Sequence, residues 1–133
     1  MDLMDLKPKS DVVEVFLKHP NTGDTLLNED GSEMTITVAA QHSSEYRNAM
    51  YEQQDRRIKA MQKKGSSSSY SAADIERDTL TLLAKITKSW DLTYGAEKPK
   101  LTEAKAKEVY TDIFWIRSQI EEALAESADF TKD

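Results

Sequence analysis

Two histidines, His19 and His42, are the only imidazoles in this 133-residue chain, and it has no cysteine. A metal site on a helix needs donors one turn apart on a single face, and neither histidine has such a partner. His19 stands in the turn-forming stretch His19-Pro20-Asn21-Thr22-Gly23-Asp24 and His42 just ahead of a helix start, so both read as loop residues. General acid–base chemistry needs carboxylates that converge on one point. Asp74, Glu76 and Asp78 alternate within a helical stretch and diverge, while Glu121 and Glu122 are adjacent; both sets read as solvated helix surface. Asn28-Glu29-Asp30-Gly31 puts carboxylates beside a glycine without the spacing of a calcium loop, and reads as a hairpin turn. Lys63-Lys64-Gly65 has the wrong order for a phosphate-binding loop. No G-x-S-x-G, H-E-x-x-H or G-x-G-x-x-G pattern occurs. The expectation is a protein that is not an enzyme, with no catalytic residue, no cofactor and no metal.

Composition points the same way. Apolar residues are 38% of the chain and charged residues 32%, which predicts one compact unit with a thin core. A net charge of -6 and a pI near 5.0 argue against nucleic acid as a partner, because phosphate binding needs clustered Lys and Arg. The absence of cysteine fits a reducing cytosol. No apolar stretch is long enough for a membrane span, and the acidic N-terminus does not resemble a signal peptide, so a soluble chain with no membrane partner is expected. Charge is uneven: residues 1–43 and 101–133 are acidic, 71–100 are balanced, and 44–70 are basic.

The elements follow from periodicity. Val12, Val13, Val15, Phe16 and Leu17 predict a strand, and Met34, Ile36 and Val38 alternate with threonines as in a half-buried second strand. Residues 1–43 are therefore an N-terminal β-hairpin region whose apolar face must rest on a helix or another subunit. Ser43-Ser44-Glu45 predicts the start of a long basic helix over 44–64, about 30 Å in length. Its stripe of Tyr46, Met50, Ile58 and Met61 is interrupted by Gln54 and flanked by Arg57, so the helix projects or packs on something outside this chain. Residues 65–70 read as a Ser-rich linker. Residues 71–133 read as a helical region, with a capping box at Ser71-Ala72-Ala73-Asp74, a helix to about Ser89, a loop at Trp90-Asp91-Leu92, and a cap at Thr102. The last helix carries Ala106, Val109, Ile113, Ile116, Ile120 and Leu124 on one face, with Tyr110 and Phe114 flanking it as core. If that helix is regular, Trp115 falls opposite the stripe, as an interface anchor or packed near Trp90. The fold class is α+β, a small antiparallel hairpin sheet followed by mainly helical structure. The expected core is Val13, Val15, Leu17, Ile36, Val38, Leu82, Leu83, Ile86 and the last helix's stripe from Val109 on.

Taken together, Asp11-Val12-Val13-Glu14-Val15, Lys18-His19-Pro20-Asn21-Thr22-Gly23 and Met34-Thr35-Ile36-Thr37-Val38 resemble the opening of small proteins encoded among bacteriophage tail genes. The Trp90-Asp91-Leu92 turn, Pro99/Leu101/Thr102, Tyr110 to Ile116 and the terminal Ala128-Asp129-Phe130 resemble the tail assembly chaperones of long-tailed phages. The landmarks are dispersed hydrophobic positions covering most of the chain. The resemblance implies a non-enzymatic protein of the infected host's bacterial cytoplasm, absent from the mature virion, that coats the tape-measure protein and recruits tail-tube subunits. It carries over no binding residue. The candidate protein-binding residues therefore rest on geometry: Tyr46, Met50, Ile58 and Met61 on the basic helix and Trp115 on the last, with self-association as a further use. Two other classes remain open. One is a permanent minor virion protein of the tail or head–tail connector; the other is a small acidic inhibitor of a host protein.

Overall fold

A computed structural model describes residues 2–6, 10–64 and 71–127. The linker expected at 65–70 and the terminal Ala128-Asp129-Phe130 lie outside the described residues. The fold is α+β. Three strands, β1 (Val12–Phe16), β2 (Thr35–Ala39) and β3 (Thr87–Asp91), form an antiparallel sheet in the order β1-β2-β3. The helices are α1 (Ser44–Lys64), α2 (Ala72–Ile86), α3 (Glu103–Asp112) and α4 (Trp115–Ser127), preceded by a single 3-10 turn at Leu3–Leu6.

Val15 lies opposite Ile36, and Ile36 opposite Trp90, so one face of the sheet carries the apolar members of all three strands. Val15, Leu17, Ile36 and Val38 are buried there with Leu83 and Ile86 of α2, Val109 and Tyr110 of α3, and Ile116, Ile120 and Leu124 of α4. Val13, Leu82 and Ile113, expected in the core, are half-buried at its margin. The hairpin therefore does rest on helices, and those helices come from its own chain.

Two boundaries differ from the sequence reading. Residues 87–91 are not the end of a helix and a loop but strand β3, which supplies the sheet's third member from the second half of the chain. Thr87 ends α2 with extended dihedrals (φ -74°, ψ 119°), and its β-branched side chain suits a strand. Its hydroxyl caps Leu83 O at 2.7 Å. The last helix is also not continuous. Ile113 has φ -105° and ψ 69°, which breaks the ladder between α3 and α4 and changes the phase of everything after it. Tyr110, before the break, is fully buried as expected; Phe114, expected in the core beside it, is 68% exposed.

Local signals elsewhere hold. Ser71 accepts from Asp74 N at 3.1 Å while Asp74 accepts from Ser71 N, completing the capping box. Thr102 caps Lys105 N at 3.0 Å, and Ser43 Oγ accepts from Tyr46 N at 3.2 Å to open α1. The tight turn at Gly31 uses a positive φ of 88°, which a side chain would disfavour.

Candidate protein-binding site

Helix α1 has two dissimilar faces. Tyr46 and Ala49 belong to the inner one, where Ala49 is buried and Tyr46 packs against the core. Placing residues at 100° intervals puts Gln53 and Ala60 on the same side and Tyr51, Gln54, Ile58 and Met61 on the opposite one. Tyr51 is 57% exposed, Ile58 53% and Met61 54%. Met50 is half-buried at the border between the faces. Of the four α1 candidates, the fold thus sets Ile58 and Met61 on one open surface, turns Tyr46 to the core and leaves Met50 between them. Tyr51 was missed by the sequence reading, although its spacing of seven residues from Ile58 marks the same stripe.

The inner face is docked by charge as much as by apolar contact. Glu45 pairs with Lys88, Glu52 with Lys85, and Arg57 Nε donates to Asp78 Oδ2 at 3.0 Å. Asp78 is only 3% exposed, so it is not the solvated surface acid read from its spacing. Glu76 does face outward, where it meets Arg117 at 3.2 Å. Gln53 is also buried, and its Oε1 finds no hydrogen-bond partner.

Trp115 lies about 100° from its expected neighbours only on a regular helix. The break at Ile113 turns it inward, where it packs half-buried against the core. It lines an apolar cleft of about 370 Å³ between the sheet's end and the α3–α4 break, together with Leu17, Leu26, Met34, Leu92 and Ile113. Three of these wall residues are pinned by a closed ring of backbone hydrogen bonds. Leu26 N donates to Leu17 O at 3.0 Å, Leu17 N to Met34 O at 3.0 Å, and Met34 N to Leu26 O at 2.9 Å. Tyr94 closes one side: its hydroxyl bonds to Asp112, and the Lys105 ammonium lies 5.7 Å from its ring centre. Hydrogen bonding to Asp112 and burial both raise the Tyr94 pKa, so the phenol keeps its proton.

The acidic turn after Leu27 is a structural joint. Asn28 is buried; its Nδ2 donates to Ser32 Oγ at 3.1 Å and Asp91 Oδ1 at 3.2 Å, and its Oδ1 accepts from Thr93 at 2.6 Å. Lys98 bridges Asp30 at 3.2 Å and Asp91 at 3.0 Å, tying the hairpin turn to β3. His19 Nδ1 accepts from Asn21 N at 3.1 Å within its own turn, and His42 Nε2 lies 3.0 Å from Ser10 O. Both histidines thus serve their loops. Among the described residues, no group of three or more His, Cys, Asp or Glu is placed to hold a metal ion, and no helix is long and apolar enough to cross a membrane.

No family model, no curated protein and no solved structure matches this chain.

Proposed function

We propose that this chain is a non-enzymatic protein-binding module, a phage tail assembly chaperone that binds the tape-measure protein and recruits tail-tube subunits in the host bacterial cytoplasm. The observation that carries the reading is the outer face of α1, where Tyr51, Ile58 and Met61 stand more than half exposed on a helix whose other face is already docked. Such a stripe is suited to a long helical partner, whose apolar side chains meet it at matching intervals. The similarity of the Val12–Val15, Met34–Val38 and Tyr110–Ile116 stretches to tail assembly chaperones supplies the biological setting. In this reading the protein leaves before the virion is complete.

The test is mass spectrometry of purified particles alongside a pull-down from infected-cell lysate with wild-type chain and an Ile58→Ser/Met61→Ser variant. Absence from particles, with a tape-measure protein recovered by the wild type and lost by the variant, supports the reading. Stoichiometric presence in particles makes the protein a permanent virion subunit instead. Recovery of a host enzyme in place of phage proteins turns it into an inhibitor.

A further inference from the structure

The pairing of α1 with α2 divides into two parts. Near the sheet, Ala49 of α1 is in the core with Tyr46 against it, and α2 joins that core from Leu80 onward. Farther out, no described residue of α1 after Ala49 and none of α2 before Leu80 belongs to the core. Two cross-helix ion pairs, Glu52 with Lys85 and Arg57 with Asp78, show that the helices run antiparallel. The outer segments, 50–64 and 72–79, therefore form a helical arm extending beyond the packed body.

What the arm buries is polar. Its buried side chains among the described residues are Gln53, at 6% exposure with its Oε1 unpartnered, and Asp78. An unsatisfied buried acceptor opposes docking, and an ion pair gives back in attraction little more than it lost in hydration. Apolar burial, which stabilises the rest of the fold, contributes little here. Few buried apolar contacts define the segments that open at low free energy while the remainder stays folded.

We propose that this arm opens locally as one unit while the sheet and its packed helices stay folded, hinged at Ala49 and Leu80 and clasped by the Arg57–Asp78 pair. Both strands of the hairpin exchange between docked and open forms together, since each has the other as its principal support. A helical partner seated on Ile58 and Met61 would bind the docked arm and hold it closed; that consequence rests on the reading above, whereas the opening itself does not.

Amide hydrogen exchange on the full chain, read residue by residue, tests this. Amides of residues 53–62 and 76–79 are expected to exchange as a group, on the order of 100-fold faster than those of Ile36 and Val38. Asp78→Asn should speed the arm about tenfold more and leave the sheet unchanged, because it strands the Arg57 guanidinium. Gln53→Met, and separately the double variant Arg57→Met/Asp78→Leu, should slow the arm by replacing polar burial with apolar burial. Exchange of arm and sheet at one common rate would overturn the proposal. So would variants that shift arm and sheet equally. Should Asp78→Asn fail to fold, the two stabilised variants decide the matter.

Discussion

Gln119 completes the edge of the sheet at Lys18. Its Nε2 donates to Lys18 O at 2.8 Å and its Oε1 accepts from Lys18 N at 3.0 Å, so one side chain supplies both bonds a neighbouring strand would have made, across 101 residues of sequence. It ties α4 to the end of β1 and blocks that edge against other chains. Replacing Gln119 with Leu should cost about 1–2 kcal/mol, because two backbone groups lose their partners. Denaturant titration measures the cost, and light scattering should show increased self-association.

The turn Tyr94-Gly95-Ala96-Glu97 has Gly95 and Ala96 both at φ 64°, the pattern of a two-residue hairpin turn. Glycine adopts that conformation freely and alanine does not. Ala96→Gly should therefore stabilise the protein by about 0.5–1 kcal/mol despite the added freedom of the unfolded chain. An unchanged or lowered thermal midpoint would count against a strained turn.

Burial pushes the Tyr110 hydroxyl up to about 12. Because the neutral form is favoured in the fold, its contribution is intact below pH 10 and lost as pH rises from about 10 toward 12. Thr87 Oγ1 donates to Leu83 O and so accepts from Tyr110 at 2.7 Å, which leaves Thr87 still paired if that hydroxyl is removed. Tyr110→Phe should cost about 1 kcal/mol at neutral pH and reduce the alkaline loss of stability. Trp90, 6.4 Å from the Tyr110 ring centre, gives a fluorescence readout.

Asp30 titrates in the opposite direction. The Ser32 hydroxyl and N–H, and then Lys98, hold its carboxyl down at about 2. Its contribution is present above the ordinary carboxylate range and is lost as pH falls from about 4 to 2. Asp30→Asn should flatten the acid limb of a stability profile in that window, measured by urea midpoints.

Asn28 provides a sharper test of the joint between the hairpin turn and β3. Asn28→Ala would leave the Thr93 hydroxyl without its acceptor and should cost about 2–3 kcal/mol, with Tm the simplest readout.

Short-range chemistry made much of this fold legible in the sequence. The α1 and α2 starts, the Thr102 cap, the Gly31 turn and the alternation of Met34, Ile36 and Val38 depend on neighbours within a few residues. The apolar periodicity also marked Ile58 and Met61 as an excess beyond what the core absorbs. What remained hidden depends on distant partners. Residues 87–91 are a strand because β2 offers a free edge, and that edge lies about 50 residues earlier in the chain. Asp78 looks like surface until α1 folds back and lays Arg57 over it. Trp115 and Phe114 exchange their expected places because one ψ angle at Ile113 rotates all that follows, a change no spacing rule registers. The sequence by itself determined which segments coil, turn and pair, since those choices are local; tertiary structure alone decided which faces meet, because that depends on groups brought together only when the chain closes.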